Sequence, residues 1–496
     1  MNILKSSKQI GLVLGPALFL LTLFFYRPEG MSREANAVLA CTLWIAAWWI
    51  TEAIPIAVTS LLPIVLFPLT GALELSETTA SFGHKYIFLY IGGFILAIAI
   101  ERWNLHKRLA LNIIHLIGTN VKSIILGFMA ATAFLSMWIS NTASSVMMLP
   151  IGLAIIKQLR DNPQTIEDEN RAFGKILMLG IAYSASIGGI ATLIGTPPNL
   201  VLAGIVQELY GIEITFSKWI MFGLPISVIL LLLCWRYLAS YTRFFQQQSF
   251  PGGKKEIKRQ LEKLGHIGYE EKAVLIVFAA AAFAWISRSF LLEKLIPGID
   301  DTIIAVVAGV ALFILPARKG SKRAIVTWEE AVQLPWGILL LFGGGLAIAQ
   351  GFKATGLADW IGGQLVLLHG VPLLILLLAL VATVNFLTEI TSNLATTAML
   401  LPVLASMALT VNVHPYILMV GATAAASCAF MLPVATPPNA VVFGSGYLSI
   451  PDMVRAGIFM NILSIILLTL IVFFLLPYLW GFTPNTYPAD WVSKGN

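Results

Sequence analysis

Residues 140–150 of the chain read SNTASSVMMLP, and residues 392–402, 252 positions later, read SNLATTAMLLP. Two further pairs of motifs match in the same order: GTPPN at 195–199 with ATPPN at 435–439, and IGGF at 91–94 with FGGG at 342–345. Matches in one order and at similar spacing are typical of an internal repeat. The alternative is an old duplication whose motifs serve only packing, but apolar packing does not call for Ser-Asn or Thr-Pro-Pro-Asn.

The composition around these motifs is that of a membrane protein. Of 496 residues, 58% are apolar and 11% are charged, and the mean hydropathy is +0.86. A soluble domain carries about 25% charged residues. The composition therefore excludes an ordinary cytosolic enzyme, a disordered chain and a basic nucleic-acid binder. We predict an all-α integral membrane protein with many spans.

Apolar runs long enough to cross the hydrocarbon predict about eleven transmembrane helices. They lie near residues 10–26, 36–51, 54–70, 86–101, 175–206, 219–241, 272–291, 302–316, 336–351, 415–446 and 455–479. Two further apolar stretches, 123–158 and 371–410, are each too long for one helix and are interrupted by Ser-Asn. We predict re-entrant hairpins there, buried in protein or lining a wet cavity.

Five spans and one hairpin fit each half of the chain, so an odd number of spans turns the second copy upside down. Such inverted repeats are typical of secondary transporters, whose site lies where the broken helices meet. The predicted units are an N-terminal span outside the repeat (1–35), the first repeat (36–241), a cytoplasmic linker (242–271), the second repeat (272–480) and an extracytoplasmic tail (481–496).

The basic residues predict the orientation. With the N-terminus in the cytoplasm, the four main Lys/Arg clusters fall inside, as the positive-inside rule requires. These clusters lie at 102–108, 157–175, 254–263 and 318–323. We therefore expect a multi-pass protein of the cell membrane, with a cytoplasmic N-terminus and an extracytoplasmic C-terminus. The linker between the repeats is predicted to form an amphipathic helix.

The motifs supply oxygen ligands and helix ends at one place. Pro-Pro inside an apolar segment removes two backbone donors, so Pro197-Pro198 and Pro437-Pro438 predict unwound segments with free carbonyl oxygens. Asn and Ser at the hairpin tips add amide and hydroxyl oxygens. Helices that begin just after each Ser-Asn direct their positive ends at a bound anion. One constellation can therefore hold a cation and a carboxylate together.

The missing charges are equally informative. Residues 134–150, 183–200, 383–408 and 420–442 contain no Lys, Arg, His or Asp, and their one charged side chain is Glu389. A multivalent anion buried without a counter-charge is very unfavourable. Bound cations must then compensate it, which makes ion coupling a natural prediction. Glu389 is interpreted as a structural acid bonded to backbone or to Ser/Thr hydroxyls, with a role in tuning cation binding as the alternative.

On these motifs the chain resembles the divalent anion/Na⁺ symporter family, which includes Na⁺-coupled dicarboxylate, citrate and sulfate carriers. The resemblance covers about residues 36–480. It implies a homodimer in which a mobile domain slides against a fixed scaffold in an elevator-type cycle. It also implies C4-dicarboxylates such as succinate, malate or fumarate as substrates, carried with two or more Na⁺.

The resemblance also implies the site residues. The first Na⁺ is expected at Ser136, Ser140, Asn141 and Gly195, and the second at Thr388, Thr391, Asn393 and Ala435. Substrate binding is expected at Ser140, Asn141, Thr142, Ser392, Asn393, Leu394, Thr196 and Pro437.

The family's second tip is commonly Ser-Asn-Thr, whereas this chain has Leu394. One hydroxyl donor is absent there, which is worth about 0.5–1.5 kcal/mol and leaves the preferred anion open among dicarboxylates, citrate and sulfate. A Na⁺-independent dicarboxylate exchanger and an anion channel remain alternative functions. The chain lacks His-Glu-x-x-His and Gly-x-Ser-x-Gly motifs, so we predict a transporter rather than an enzyme.

Overall fold

The structure, a computed structural model, describes residues 2–118, 120–160, 167–245, 253–318, 323–364 and 370–492. The first helices are α1 (Asn2–Phe25), α2 (Arg33–Thr51), α3 (Ile56–Thr59), α4 (Leu62–Thr70), α5 (Leu75–Ala80), α6 (Lys85–Arg102), α7 (Leu105–Ile117), α8 (Val121–Ser136), α9 (Asn141–Arg160), α10 (Glu167–Ile190), α11 (Pro197–Tyr210), α12 (Phe216–Ser240) and α13 (Gly253–Leu264). Parts of the predicted linker (246–252) and tail (493–496) lie outside the described residues.

The remaining helices are α14 (Tyr269–Ser287), α15 (Glu293–Leu295), α16 (Asp301–Ile314), α17 (Trp328–Ala331), α18 (Trp336–Ala354), α19 (Leu357–Gln364), α20 (Leu373–Leu387), α21 (Asn393–Thr410), α22 (Pro415–Ala426), α23 (Pro437–Phe443), α24 (Ile450–Leu470), α25 (Leu476–Trp480) and α26 (Ala489–Val492). Wider π-helical turns at Arg288–Leu292 and Ile471–Leu475 continue α14 and α24. Within the described ranges, β pairing is limited to an isolated bridge between Pro316 and Ala324.

Side-chain caps explain where several helices begin. Asn120 Oδ1 accepts a hydrogen bond of 2.7 Å from Ser123 N at the start of α8. Asp300 Oδ1 accepts from Thr302 N at 2.7 Å and from Ile303 N at 3.1 Å at the start of α16. Such caps satisfy donors that have no partner inside the helix, and they stabilise a helix by about 1 kcal/mol.

The described residues contain eight helices that are long and apolar enough to cross a membrane, with five shorter apolar helices beside them. The sequence predicted eleven spans, and the difference has local causes. The run 54–70 is divided into α3 and α4, and the run 415–446 is divided by the link between α22 and α23. The run 302–316 forms α16, one of the shorter apolar helices, and the run 36–51 forms α2, which is not among the eight. Asn393–Thr410, an arm of the second predicted hairpin, itself meets the length criterion.

The chain turns within both predicted hairpins, and helix is interrupted at both predicted unwound segments. The chain turns at residues 137–140 between α8 and α9, and at 388–392 between α20 and α21. Helix is interrupted at 191–196 between α10 and α11, and again at 427–436 between α22 and α23. We call the last two segments link 1 (191–196) and link 2 (427–436). Pro-Pro begins the helix after each link, as its fixed backbone angle and missing donor allow.

The helices pack in two groups. Helices α2, α3, α4, α6, α14, α16 and α18 contact one another, and we call this group the scaffold bundle. Helices α8–α12 and α20–α25 form the second group, which we call the hairpin bundle. The two bundles meet mainly where α11 and α21 pack against α18 and where α12 packs against α14. Helix α13, in the predicted linker, packs against α7.

Candidate functional site at the hairpin tips

Polar groups meet where the first hairpin turns. The Ser136 hydroxyl oxygen lies 2.6 Å from Asn141 Oδ1 and 2.6 Å from the Ala185 carbonyl oxygen. The same side-chain atom of Asn141 lies 3.2 Å from the Gly195 carbonyl oxygen and 3.2 Å from that of Ala185. Four oxygen atoms therefore converge at this tip, and the Ser136 hydroxyl supplies the only hydrogen among them.

Such a cluster is favourable in two arrangements. With the Asn141 amide turned so that its nitrogen faces the cluster, the nitrogen donates to all three neighbouring oxygens. With the amide oxygen facing the cluster, the single hydrogen of the Ser136 hydroxyl cannot satisfy all the acceptors, and a cation among the four oxygens would satisfy the rest. Carbonyl and hydroxyl oxygens are the ligands that hard cations prefer. The first tip therefore fits a small cation such as Na⁺.

The second hairpin repeats this geometry. Thr388 Oγ1 donates toward Asn393 Oδ1 at 2.5 Å and lies 3.1 Å from the Ala426 carbonyl oxygen. Thr388 and Asn393 are the counterparts of Ser136 and Asn141, 252 positions later. The repeat therefore extends from the sequence motif to the individual contacts of the side chains.

The structure adds candidate ligands that the sequence did not suggest. The carbonyls of Ala185 and Ala426 occupy equivalent places at the two tips. Each is followed by a buried serine, Ser186 or Ser427, whose hydroxyl has no hydrogen-bond partner among the described residues. Buried polar groups without partners are rare in folded proteins. These two hydroxyls are further candidate ligands beside the clusters.

A glycine allows the first tip to pack against α10. A Cβ atom placed on Gly189 would lie 2.4 Å from Asn141 Oδ1, well inside van der Waals contact. A Cβ on Gly195 would lie 2.5 Å from the Gly189 carbonyl oxygen. The approach of Asn141 to link 1 thus depends on glycine at both positions.

The Asn side chain of each Pro-Pro-Asn motif donates hydrogen bonds to backbone carbonyls in and beside the link that precedes it. Asn199 Nδ2 donates to the Thr192 carbonyl at 2.7 Å and to the Gly189 carbonyl at 3.2 Å. Asn439 Nδ2 donates to the equivalent carbonyls of Leu432 and Ala429 at 3.0 and 3.3 Å. Sequence reasoning gave these Asn no role, although the repeated motif contained the signal. They hold the unwound links in a compact shape, which leaves other carbonyls free.

Glu389 lies at the second tip, and its position confirms one interpretation made from the sequence. Its carboxylate accepts hydrogen bonds from the backbone N–H groups of residues 430–432 in link 2, at 2.8 to 3.0 Å. The side chain is 3% exposed. It is a structural acid bonded to backbone, as predicted, and no Ser or Thr hydroxyl of the described residues donates to it. At the first tip, the Thr192 hydroxyl makes the corresponding connection to the Met137 carbonyl at 2.5 Å.

The other predicted site residues lie at helix starts or in link 2, and they differ in how exposed they are. Ser140 and Ser392 cap α9 and α21, accepting from the N–H groups of Ala143 and Ala395 at 3.2 and 3.4 Å. Thr142 is exposed, whereas its counterpart Leu394 is buried. Thr196 is buried at the start of α11, Ala435 is buried in link 2, and Pro437 is exposed at the start of α23.

Thr391 is not brought to the second oxygen cluster by any hydrogen bond. Its hydroxyl donates to the Leu387 carbonyl at 2.8 Å and shares a bond of 2.7 Å with the Thr396 hydroxyl. Both partners belong to the same hairpin. The structure therefore joins Thr388 to Asn393, whereas Thr391 is bonded to the two arms of the hairpin.

Near these tips, helices of the first repeat pack against helices of the second repeat. Helix α9 of the first hairpin packs against α23, and α21 of the second hairpin packs against α11. Each hairpin arm thus lies against the half-helix that follows the other repeat's link. Helices α9, α21 and α11 all begin in this region, so their N-terminal ends favour a negative ligand.

A comparison with known protein families identifies the family of the chain. The family described as "Sodium:sulfate symporter transmembrane region" matches residues 6–480. The chain belongs to this family. Membership in the sodium:sulfate symporter family makes it a multi-pass membrane protein of a transporter family, in agreement with its apolar helices.

Relatives within the sodium:sulfate symporter family cover nearly the whole chain. The sodium-dependent dicarboxylate transporter SdcS of Staphylococcus saprophyticus is 50% identical over 477 residues, which cover 95% of this chain and 92% of SdcS. SdcS of Staphylococcus aureus strain USA300 is 49% identical over 486 residues, which cover 97% of this chain and 94% of that protein.

Solved structures show the fold. The YdaH transporter of Alcanivorax borkumensis aligns with a TM-score of 0.60 at 13% identity, covering 97% of this chain and 98% of that one. MtrF of Neisseria gonorrhoeae aligns with a TM-score of 0.57 at 15% identity, covering 81% and 84%. At such low identity, the likeness shows that the all-helical fold is shared with other transporters.

Proposed function

We propose that the protein is a secondary active transporter that carries C4-dicarboxylates, such as succinate, malate or fumarate, across the cell membrane together with Na⁺. The observation that carries the proposal is the pair of oxygen clusters at Ser136–Asn141 and Thr388–Asn393. They lie in segments without Lys, Arg, His or Asp. The relatives named sodium-dependent dicarboxylate transporters support both the ion and the substrate.

Coupling follows from this chemistry. A dicarboxylate at the tips meets amide, hydroxyl and backbone donors, but no basic side chain of the tip segments. Its two negative charges are then compensated by Na⁺ held in the adjacent oxygen clusters. Binding of the anion without the cations leaves a buried net charge, which is strongly unfavourable. The empty carrier and the fully loaded carrier are the forms that avoid this charge.

Each proposed site keeps the residues expected from the sequence and gains a backbone carbonyl. The first Na⁺ is assigned to Ser136, Ser140, Asn141 and Gly195, together with Ala185. The second Na⁺ is assigned to Thr388, Thr391, Asn393 and Ala435, together with Ala426. The dicarboxylate is assigned to Ser140, Asn141, Thr142, Ser392, Asn393, Leu394, Thr196 and Pro437. Thr391 also keeps hydrogen bonds to Leu387 and Thr396 within its own hairpin.

We further propose an elevator-type cycle in a homodimer. The hairpin bundle holds both candidate cation sites and is the mobile part, and the scaffold bundle is the fixed part that binds the second protomer. The proposed units are the inverted repeats 36–241 and 272–480, with the N-terminus in the cytoplasm and the C-terminus outside. Native mass spectrometry of the purified protein tests the dimer, and labelling of terminal tags in intact cells tests the orientation.

The decisive experiment is uptake of radiolabelled succinate into proteoliposomes, with an inward Na⁺ gradient or with K⁺ in place of Na⁺. We expect uptake in Na⁺ alone. Asn141→Ala and Asn393→Ala should reduce uptake to background with unchanged expression. Asn112→Ala is the matched control, because that Asn is exposed on α7 and donates to the Arg108 carbonyl within its own helix. Normal uptake in both tip variants would overturn the site.

The same experiment distinguishes the alternative functions. Uptake that is equal in Na⁺ and K⁺, with counterflow of one dicarboxylate against another, identifies an exchanger. Absence of succinate uptake, with Na⁺-dependent uptake of citrate or sulfate, identifies a different substrate. Uncoupled currents far above carrier turnover identify a channel.

A further inference from the structure

Glu213 connects the hairpin bundle to the scaffold bundle. It lies in the loop 211–215 between α11 and α12, and its carboxylate accepts hydrogen bonds from Arg288 Nη1 and Nη2 at 2.8 and 3.1 Å. Lys85 Nζ lies 3.4 Å from the same carboxylate. Arg288 continues α14 and Lys85 begins α6, so both cations belong to the scaffold side. One loop of the hairpin bundle is therefore held by two scaffold helices.

The first residues of α12 make further polar contacts with the scaffold. Phe216 N donates to the Asp301 carboxylate at 2.7 Å, so the first residue of α16 caps the start of α12. The hydroxyl oxygens of Ser217 and Ser289 lie 2.7 Å apart. These contacts extend the connection from Glu213 along the polypeptide to Ser217.

A stack of three rings connects this region with the first cation tip. The Phe216 ring lies between Trp285 of α14, at a centroid distance of 5.2 Å and 15°, and Trp138, at 6.0 Å and 19°. Trp138 belongs to the turn between Ser136 and Asn141. Trp138 of the first tip therefore stacks on Phe216, whose backbone N–H is bonded to Asp301 of α16.

The charges are arranged so that the two bundles can separate. Lys85 has its own scaffold partner in Asp300 at 3.1 Å, and Arg288 has Asp301 at 3.3 Å. Breaking a buried ion pair is costly because it leaves one charge unpaired. Here each scaffold cation keeps a carboxylate, and Glu213, whose side chain is 27% exposed, is the group that water must hydrate.

We propose that residues 213–217 form a latch that holds the hairpin bundle against the scaffold bundle in the position seen here, and that the latch opens and closes in each transport cycle. This inference rests on the proposed function, because it takes the hairpin bundle as the mobile part. The ring stack links the latch with the first tip. Cation binding at Ser136 and Asn141 and opening of the latch are therefore coupled.

A disulfide across the latch tests this directly. Sulfur atoms of cysteines at positions 217 and 289 would lie close to the present hydroxyl oxygens, which are 2.7 Å apart. The paired variant Ser217→Cys with Ser289→Cys therefore needs only a small adjustment to reach the S–S bond length of about 2.05 Å. Copper(II) phenanthroline oxidises the two thiols to one disulfide, taking up two electrons while two protons are released. The native cysteines are all buried. Mass spectrometry of the linked peptides measures the yield.

We expect the linked protein to lose uptake and to regain it when dithiothreitol reduces the disulfide. Full uptake by quantitatively linked protein would overturn the latch, because the two bundles would then transport without separating there. The unlinked double variant, assayed in reductant, establishes that the two substitutions themselves permit folding and transport.

The rate of disulfide formation gives a second measure that does not need transport. Glu213→Gln in the double-cysteine protein removes the charge but keeps the shape, and we expect about tenfold slower linking. Glu330→Gln is the matched control. Glu330 also pairs with two arginines, Arg102 and Arg323, and it caps α17, where Gln serves as well.

The outcomes separate the latch from the proposed function. Slower linking with Glu213→Gln, but not with Glu330→Gln, supports the latch even if the parent protein takes up no succinate. Equal linking rates in all three proteins would overturn the latch even if Na⁺-dependent uptake is normal. Slowing of the same size in both variants would also overturn it, since a general effect of charge would then suffice.

Discussion

The carboxylate of Glu389 and the side-chain amide of Asn461 lie 2.8 Å apart, and this bond joins the second hairpin turn to α24. The same carboxylate oxygen accepts from two backbone N–H groups of link 2, and the other oxygen accepts from a third. Asn461 Oδ1 in turn accepts from Phe430 N at 3.2 Å. The buried negative charge is thus held by four N–H donors rather than by a basic side chain.

Replacement of Glu389 by Gln should destabilise the second tip. The Gln side chain carries an NH₂ group, which would face the Leu432 N–H and leave a buried donor without an acceptor, at about 1–3 kcal/mol. We expect a lower melting temperature in detergent and weaker Na⁺ binding. Glu262→Gln, at an exposed position of α13, is the control. An unchanged melting temperature for Glu389→Gln would contradict the structural role.

Replacement of Gly189 by Ala should displace Asn141 from the first oxygen cluster, because the new methyl group would lie 2.4 Å from Asn141 Oδ1. We expect Na⁺ affinity to fall by about tenfold or more, measured as the Na⁺ dependence of the melting temperature. Gly93→Ala is the control, because a Cβ there makes only ordinary contacts of 3.8 Å with Ile194. Equal Na⁺ affinity in both variants would show that Asn141 is not a ligand.

Replacement of Thr388 and replacement of Thr391, the two threonines of the second tip, should have different effects on Na⁺ binding. Thr388→Val removes the hydroxyl that contacts Asn393, whereas Thr391→Val removes one that bonds to Leu387 and Thr396. We expect Thr388→Val to reduce the Na⁺ affinity strongly, and Thr391→Val to reduce it less and to lower the melting temperature as well. The Na⁺ concentration for half-maximal succinate uptake measures the affinity. A larger loss of affinity in Thr391→Val than in Thr388→Val would contradict this order.

The hydroxyls of Ser186 and Ser427 have no hydrogen-bond partner in the part of the chain that the structure describes, and they predict two effects of opposite sign. Alanine at either position removes this buried polar group, so the Na⁺-free protein should be more stable by about 1 kcal/mol. If the hydroxyl is a Na⁺ ligand, the same variant should bind Na⁺ less tightly. Melting curves with and without Na⁺ measure both effects. Stabilisation that is equal in both conditions would exclude Ser186 and Ser427 as ligands.

The stabilisation that Glu213 of the latch gives to the folded protein should decrease at low pH. Burial raises the pKa of Glu213, but the hydrogen bonds and charge of Arg288, with the charge of Lys85, outweigh it, so the pKa lies below its ordinary value of 4.5. A carboxylate of this kind stabilises the folded protein above its unfolded pKa and loses that effect as the pH falls through its folded pKa. The groups around it are Lys85, Tyr86, Arg288, Glu293, Asp300 and Asp301.

We therefore expect the melting temperature of the parent protein to exceed that of Glu213→Gln by a constant amount from pH 7 to about pH 5. The difference should shrink below pH 4.5, as Glu213 takes up a proton in the parent. Differential scanning fluorimetry in detergent measures both proteins. A difference that shrinks between pH 7 and pH 6 would point to another titrating group.

The positions of the hairpin turns and of both links could be predicted because their signals are local. Ser-Asn inside an apolar run and Pro-Pro inside a span disturb a transmembrane helix wherever they occur, so the hairpin turns and both links were visible in the sequence. The repeat matched Asn141 with Asn393 before any contact was known, whereas Ser136 and Thr388 were implied by the family resemblance. The number of spans was less predictable, because the turn between α3 and α4 and the length of link 2 depend on packing.

By itself, the sequence determined the membrane class, the repeat, the two hairpin tips and their lack of basic side chains. Each follows from residue types that act on their own neighbourhood. Only the tertiary structure decided which groups complete the tips. The carbonyls of Ala185 and Ala426 carry no side-chain signal, and Glu389 with Asn461 and Glu213 with Arg288 are 72 and 75 positions apart in sequence. Such partners are selected by helix packing, which alone brings distant donors and acceptors within hydrogen-bond distance.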